Sequence, residues 1–224
     1  MSHLYVSLKA AEALKRPFNE LEIVTCHLGN GASVCAVDHG RSIDTSMGLT
    51  PVEGLIMGTR CGDVDAGALV HLMRSEKLSA EDLNDLINKR SGLKGLSGVS
   101  NDMREIEAAA EQGQHGALLA LKAFSYRVRK YIGAYVAAMG GLDALVFTGG
   151  IGQGSAGVRW LACQGLACMG IHIDEAKNRD AQGFAQVCDI ATPESAARVL
   201  VVRTDEERMI ARETLSTLER EYIS

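Results

Sequence analysis

The spacing of apolar residues changes from helical to strand-like near the start of the chain. Over residues 3–15 apolar positions lie three or four apart, which is typical of an amphipathic helix. Three shorter apolar runs follow. Asn30 and Gly31 separate the first two of these runs, and His39 and Gly40 separate the next two. We therefore predict a helix and then an antiparallel meander of three strands, at residues 21–28, 31–38 and 41–46.

The rest of the chain alternates helical patterns with two strongly apolar runs, DALVFTGG and ARVLVVRT, which are typical of buried strands. Ser79 is a typical N-cap for one of the helices. Two glycine-rich stretches, GLTPVEGLIMGTRCGDVDAG and SGLKGLSGVSND, are predicted to be loops. The predicted helices are 66–75, 79–90, about 102–112, 115–139, 155–165 and a last one over DEERMIARETLSTLERE. This order predicts a mixed α/β fold, and the absence of a linker composition predicts one domain.

The composition narrows the class of protein. The 224 residues are 46% hydrophobic, enough for a sizeable core, and the net charge is -5 with 4% aromatic residues. An acidic chain with few aromatic residues is a poor candidate for binding nucleic acid or a membrane surface. No apolar stretch is long enough to span a bilayer. The six cysteines form no CxxC pair, and free thiols within apolar runs predict a cytoplasmic protein.

The sequence HLGNG, residues 27–31, supports two interpretations. Asn30 and Gly31 between two strands are typical of a two-residue type I′ hairpin turn. The backbone N–H groups of a tight glycine loop can also bind an anion, with His27 and Asn30 as further donors. The pattern alone favours the turn.

The sequence FTGGIGQGS supports a binding role besides an ordinary turn. A strand that leads into consecutive glycines and then a helix lets a ligand approach the backbone closely. A dinucleotide fingerprint is an alternative, because Gly150 and Gly152 match its first two glycines, although its last position falls on Ser155. Asp174 lies at a tolerable distance along the chain for the acid that binds a ribose. An NAD(P)-dependent oxidoreductase therefore stays open.

Arg60, in MGTRCGDVD, is the first of the charged candidates. An arginine between glycines in an uncharged region suits bidentate recognition of a phosphate or a carboxylate. Asp63 and Asp65 either pair with Arg60 or cap the helix that follows.

Two further charged motifs have ordinary explanations as helix N-termini. Asp102 and Glu105 have capping-box spacing in SNDMRE, which makes Arg104 a surface residue. Thr204 and Glu207 have the same spacing in RTDEE, and the acidic residues between them lie at the positive end of the helix dipole.

Taken together, the motifs carry a resemblance to a known family. In this order, SHLYVSLKAAE, HLGNGASV, DTSMGLTPVEGLIMGTRCGDVD, FTGGIG and TDEERMIARET resemble the acetate and propionate kinases, over the whole chain. The resemblance implies a ribonuclease-H-like lobe of the superfamily of sugar kinases, actin and heat-shock ATPases. It also implies homodimers and a Mg²⁺-dependent, in-line transfer of the γ-phosphoryl group of ATP to acetate or propionate.

The same resemblance implies roles for individual residues. Arg60 and His27 are the implied catalytic residues. Those implied to hold the nucleotide are His27, Gly29, Asn30 and Gly31 at the phosphates, Asp102, Met103 and Arg104 by the ribose and adenine, and Gly149, Gly150, Ile151, Gly152 and Gln153 in the adenosine pocket. Glu206 is implied to help hold the waters of Mg²⁺.

The chain also departs from the family pattern. Gln153, Asp205 and Ala66 stand where the family commonly has Glu, Asn and Pro. In the family a further lobe precedes the Ser2-His3 pair, so residues 1–224 are expected to be the C-terminal nucleotide-binding lobe alone. Two outcomes stay open: a kinase completed by a separate N-terminal lobe, and an inert fragment that binds nucleotide or only dimerises.

Overall fold

The computed structural model of the protein describes residues 1–181, 183 and 186–221. Its strands are β1 Glu22–Leu28, β2 Ala32–Asp38, β3 Arg41–Thr45, β4 Ala144–Thr148, β5 Val187–Asp189 and β6 Arg198–Val202. Its α-helices are α1 Ser2–Leu14, α2 Ala66–Ser75, α3 Ala80–Lys89, α4 Gly92–Ser97, α5 Met103–Glu111, α6 His115–Met139, α7 Gly149–Gly154, α8 Ala156–Cys163, α9 Glu175–Asp180 and α10 Glu206–Glu221.

The strands form a six-stranded sheet in the order β3-β2-β1-β4-β6-β5. The meander β1-β2-β3 is antiparallel, as predicted. β4 pairs in parallel with β1 on one side and with β6 on the other, and β5 closes the edge antiparallel to β6. An antiparallel meander joined to parallel strands in this order is the ribonuclease-H-like arrangement that the resemblance implies.

The central strands β1, β4 and β6 are buried on both faces, which explains why they are almost wholly apolar, whereas the edge strand β3 is exposed. Along β1, Val24 and Cys26 pack into one core cluster, whereas Ile23 packs into the cluster on the other face. The first cluster includes the buried stripe of α6, whose members Phe124, Val128 and Ile132 recur every four residues. The second includes Tyr5, Val6 and Ala10 of α1.

Most predicted helices agree with the structure to within two or three residues, and Ser79 caps α3 with a capping box to Asp82. Two predictions were wrong: α4 and α7 are helices where the glycines predicted loops. Glycine disfavours a helix, so such segments become helical only when tertiary contacts hold them. Neither α9 nor β5 was predicted from the sequence.

The two turns of the meander differ. His39 and Gly40 have φ of 47° and 81°, the positive values that a type I′ turn requires at both central positions. Neither Asn30 nor Gly31 has positive φ, so the type I′ interpretation of HLGNG was wrong. The connection there has three residues, 29–31 (loop 29–31), because the last strand pair is Leu28 with Ala32.

A histidine of α1 is held against the meander. His3 Nδ1 lies 2.7 Å from Thr25 Oγ1, and its Nε2 lies 2.8 Å from Ser33 Oγ. Burial, followed by the charge of nearby His27, lowers the pKa of His3 from 6.5 to about 4. The imidazole is therefore neutral in the folded protein at neutral pH.

This burial makes stability depend on pH. Between the unfolded pKa of 6.5 and the folded pKa of about 4 the unfolded chain binds a proton that the folded chain does not, so stability falls as pH falls. The wild-type chain loses unfolding free energy as pH falls through this window. We expect His3→Gln to make that loss smaller by roughly 1–3 kcal/mol. Urea unfolding from pH 7 to pH 4 measures this. The exposed His172 provides the control, His172→Gln, and equal slopes in the two variants would contradict the expectation.

Candidate functional site

The carboxyl ends of the parallel strands β1, β4 and β6 lie at one edge of the sheet. Loop 29–31 follows β1, α7 follows β4 directly, and residues 203–205 lead from β6 into α10. In open α/β sheets, ligand sites form outside this edge. The glycine-rich motifs HLGNG and FTGGIGQGS are therefore placed side by side by the topology.

A cleft of about 420 Å³ lies at this edge, between loop 29–31, the start of α5 and the α7–α8 junction. Three segments that are far apart in the sequence meet around it. Its lining residues are Gly29, Asn30, Asn101, Asp102, Met103, Arg104, Glu107, Gly150, Ile151, Gly154 and Ser155. Seven residues implied to hold the nucleotide are among them: Gly29, Asn30, Asp102, Met103, Arg104, Gly150 and Ile151.

The glycines of α7 divide into two kinds. A Cβ added at Gly150 or Gly154 would meet no atom within 4 Å, because it would enter the open cleft. Gly149 and Gly152 instead face β1. A Cβ at Gly149, whose φ is 78°, would lie 2.5 Å from the Leu28 carbonyl oxygen. The first pair leaves room for a ligand, and Gly149 lets α7 approach the sheet, whereas a Cβ at Gly152 would make only ordinary contacts of 3.5 Å and longer.

Asn30 is fixed by two neighbours. Its backbone carbonyl accepts from the Gly58 N–H at 3.0 Å, and its Oδ1 accepts from Asn101 Nδ2 at 3.1 Å. A Cβ on Gly58 would lie 1.8 Å from Asn30 Oδ1, so this approach requires glycine. Asn30 Nδ2 has no partner in the described part of the chain and can donate to a ligand.

Arg60 lies beside loop 29–31. Its Nη1 is 3.7 Å from Met57 Sδ and 3.7 Å from the position that a Cβ on Gly31 would occupy. Arg60 is half-buried, and within the described residues it makes no ion pair with a carboxylate. A partly desolvated guanidinium without an anion is suited to bind a phosphate or carboxylate of a ligand.

The two acidic residues that follow Arg60 bind groups other than Arg60. Asp63 pairs with Arg127 of α6 at 2.6 Å and accepts from the Tyr131 hydroxyl at 2.9 Å. Asp65 caps α2, accepting from the Gly67 N–H at 2.7 Å. The capping interpretation of Asp65 is confirmed. Pairing with Arg60 was wrong, because Asp63 pairs with Arg127 of α6 instead.

Comparisons with known proteins show the family of the chain. The family model described as the acetokinase family matches residues 1–212. The chain is 53% identical over 219 residues to an acetate kinase of Parabacteroides distasonis, covering 98% of this chain and 54% of that protein. It is 52% identical over 219 residues to one of Caldicellulosiruptor saccharolyticus, covering 98% and 55%.

The chain belongs to the acetokinase family. The resemblance stated from its motifs is thereby confirmed. The chain nevertheless spans about half the length of the curated relatives that it matches, 54% in the first case.

Solved structures support the fold of this acetokinase chain. The crystal structure of Porphyromonas gingivalis acetate kinase matches with a TM-score of 0.91 at 48% identity, covering 97% of this chain and 54% of that one. A propionate kinase from Francisella tularensis matches with a TM-score of 0.87 at 42% identity, covering 95% and 53%. The predicted ribonuclease-H-like fold class is therefore confirmed.

Asp102 and Arg104 form the α5 wall of the cleft of this acetokinase chain. Asp102 is the N-cap of α5, as predicted, and accepts from the Arg104 N–H at 2.9 Å, but the predicted capping box with Glu105 is not formed. Its carboxylate also accepts from the Arg104 guanidinium at 2.6 Å, and these hydrogen bonds lower the pKa of Asp102 to about 2. Arg104 is exposed and is one of the residues that line the cleft.

Three of the remaining predicted residues lie near the cleft rather than on its lining. His27 is half-buried in β1, and its Nδ1 lies 2.6 Å from Ser2 Oγ. Gly31 adjoins Arg60, as described above. The Gln153 carbonyl accepts from Arg159 at 2.8 Å. Glu206 begins α10, and its side chain lies outside the described residues, so the structure does not place the predicted metal ligand.

One carboxylate at the site, that of Glu107, was not predicted from the sequence. Glu107 accepts a hydrogen bond from Ser155 Oγ, and Ser155 also caps α8 by accepting from the Val158 N–H at 2.9 Å. Burial raises the pKa of Glu107 above its ordinary value. Neither residue carried a local signal beyond helix position, because only the packing of α5 against the α7–α8 junction brings them together.

Within the described ranges, no group of three or more His, Cys, Asp or Glu side chains is arranged to hold a metal ion. Across the same ranges, none of the helices has the length and apolar character needed to cross a bilayer.

The two kinds of glycine in α7 should respond differently to substitution. Gly149→Ala places a Cβ against the Leu28 carbonyl at positive φ, and we expect it to lower the free energy of unfolding by roughly 1–3 kcal/mol. Gly150→Ala enters open space with ordinary φ and should leave stability equal or slightly higher. Chemical denaturation of the matched pair measures both effects, and equal losses would argue against this division.

Proposed function

We propose that residues 1–224 form the C-terminal nucleotide-binding lobe of an acetate or propionate kinase, which transfers the γ-phosphoryl group of ATP to a short-chain carboxylate. The observation that carries the proposal is the cleft at the carboxyl edge of β1 and β4, where the open positions at Gly150 and Gly154 leave room for a ligand. The reaction is the general one of the family to which the chain belongs.

The cleft suits a nucleoside in size and chemistry. Small-molecule sites commonly have volumes of roughly 300–1,000 Å³, and this one has about 420 Å³. Met103 and Ile151 supply apolar surface for a base, whereas Asp102 and Glu107 supply oxygens that accept from hydroxyl or amino groups. The glycine backbone adds N–H groups without side chains in the way.

The surroundings of loop 29–31 suit phosphates. Phosphoryl transfer depends on fixed donors and cations around the transferred group rather than on covalent chemistry by the protein. Asn30 Nδ2 and the loop backbone are the proposed donors, and His27 is proposed to act at the same end of the site. The Arg60 guanidinium, without a carboxylate partner in the described part of the chain, is the proposed cation for the phosphoryl group or the carboxylate substrate.

Mg²⁺ is part of the proposal. It is typically held by one or two carboxylates together with the phosphates of the nucleotide, so it does not need a cluster of protein ligands. When bound it would neutralise phosphate charge. Glu206 is the proposed carboxylate, because α10 begins just after β6, at the edge of the sheet where the cleft lies.

Complete activity is proposed to require a second lobe in addition to residues 1–224. Holding both reactants in position can lower the activation free energy of a reaction by roughly 7–11 kcal/mol. One lobe of a two-lobed cleft cannot supply all of this reduction. We propose that turnover needs the N-terminal lobe, in the same polypeptide or a separate one, and that the assembled enzyme is a homodimer in the cytoplasm. The competing proposal is an inert fragment that still binds nucleotide or dimerises.

The dinucleotide alternative loses its geometric support. Asp174, its candidate ribose acid, caps α9 by accepting from the Lys177 N–H at 3.0 Å and does not line the cleft.

Calorimetric titration of the purified chain with Mg·ATP tests nucleotide binding, with NAD as the control ligand. We expect saturable heat with ATP and none with NAD. Gly150→Leu should abolish ATP binding, because the side chain fills the cleft, whereas leucine favours a helix more than glycine and should not unfold α7. Ala134→Leu, at an exposed position of α6, is the matched control. ATP binding to Gly150→Leu with unchanged affinity would remove the cleft from the proposal.

The role of Arg60 is tested in the two-lobed enzyme. Arg60→Ala should lower kcat by roughly 10²–10³, because it removes a cation from the transition state. His27→Ala should also lower kcat. Arg74→Ala, at an exposed position in the last turn of α2, should leave kcat unchanged. Steady-state kinetics of the three variants measure these changes in kcat. A wild-type kcat in both Arg60→Ala and His27→Ala would contradict the proposed roles of these residues.

A further inference from the structure

Arg159 of α8 is a buried cation that forms no salt bridge in the described residues, and the carboxylate whose charge it senses is that of Glu107. Its side chain is 0% exposed. Burial lowers the pKa of Arg159 to about 10, which leaves it charged at neutral pH. Because an apolar side chain is often the more stable occupant of such a position, the guanidinium requires an explanation in terms of what it holds.

Neutral oxygens surround this guanidinium. Nη1 donates to the carbonyls of Gly152 at 2.9 Å and Gln153 at 2.8 Å. Nε donates to Asn178 Oδ1 at 2.7 Å, and Nη2 donates to the Asn178 carbonyl at 2.7 Å. Asn178 Nδ2 donates in turn to the Ala156 carbonyl at 2.9 Å. One side chain therefore ties α7, α8 and α9 together.

Arg159 holds α7, a helix whose own sequence does little to stabilise it. Four of its six residues, in the sequence GGIGQG, are glycine, the residue other than proline that least favours a helix. The last carbonyls of a helix have no partner within it, and a cation near them is favourable. Gly152 and Gln153 lie in this last turn. The glycines leave room in the cleft, and they also leave α7 without side chains to fix it.

We propose that Arg159 is a positioning residue, which fixes the glycine-rich helix α7 in the geometry that the nucleotide cleft requires. Arg159 does not line the cleft, whereas Gly150, Ile151 and Gly154 of α7 do. The hydrogen bonds of the guanidinium thus act on a ligand through the backbone of α7, whereas its charge also interacts with Glu107 of the cleft lining. The inference rests on the proposed function, in that the ligand of the cleft is a nucleotide.

The chain offers a matched control for the loss of such an arginine. Arg129 of α6 also donates from its guanidinium to backbone carbonyls of α8, those of Leu161 and Ala162, but it makes no hydrogen bond to α7. Arg159→Met therefore removes hydrogen bonds to α7 and α9, whereas Arg129→Met removes hydrogen bonds to carbonyls of α8 alone. Arg159→Lys keeps the charge and part of the donor capacity.

Two measurements on the full chain distinguish positioning from general stabilisation. Amide hydrogen exchange of peptides covering residues 149–155 reports the order of α7 without ligand, and calorimetry with ADP reports nucleotide affinity below the unfolding temperature of each variant. We expect Arg159→Met to raise exchange in this segment and to weaken ADP binding by about tenfold or more. Arg159→Lys should lie between it and wild type. Arg129→Met should change neither measurement, even where it lowers the unfolding temperature.

The outcomes separate this inference from the proposed function. Unchanged exchange over 149–155 in Arg159→Met overturns the inference, and so does raised exchange with unchanged ADP affinity. Equal effects of Arg129→Met also overturn it. If the unmodified chain does not bind ADP, the proposed function fails, and exchange alone then decides whether Arg159 fixes α7. Should Arg159→Met not fold, Asn178→Ala and Arg159→Lys test the same hydrogen bonds.

Discussion

The parallel pairing of β4 with β1 is the constraint on which the candidate site depends. Thr25 of β1 lies opposite Val146 of β4, so the two strands end side by side. β6 continues the parallel order on the other side of β4. All three strands are buried on both faces, and this burial makes the pairing rigid. As a result, loop 29–31 and α7 face each other across a cleft, although more than a hundred residues separate them along the chain.

The glycines at this edge of the sheet make room for a ligand and close contacts, but they also weaken local order. Gly150 and Gly154 leave the cleft open, Gly149 allows contact with β1, and Gly58 allows contact with Asn30. Each of these positions also loses the conformational restriction and packing of a side chain. The surrounding structure compensates through hydrogen bonds from neighbouring elements: from Asn101 and Gly58 to Asn30, and from the buried Arg159 to α7. An open site and an ordered site are thus provided by different parts of the chain.

The charged residues around the cleft also have separate roles. The chain is acidic overall, with a net charge of -5, yet the acidic residues nearest Arg60 in sequence are occupied by Arg127 and by the N-terminus of α2. Arg60 itself contacts Met57 and loop 29–31, so its charge remains available to an anionic ligand. Asp102 and Glu107 are held by Arg104 and Ser155 on the α5 side of the cleft. This arrangement suits a ligand with an anionic end and a neutral, hydrogen-bonding end.

The sequence by itself determined the elements whose signals are local. The periodicity of α6, the N-caps Ser79 and Asp102, the meander and the buried strands β4 and β6 all follow from residues within a few positions of one another. The order of its motifs also determined the family. Only the tertiary structure decided that α7 is a helix, that Asp63 pairs with Arg127, and that Glu107 meets Ser155 at the cleft. These features depend on hydrogen-bond partners 64 residues apart for Asp63 and 48 apart for Glu107, which no local pattern encodes.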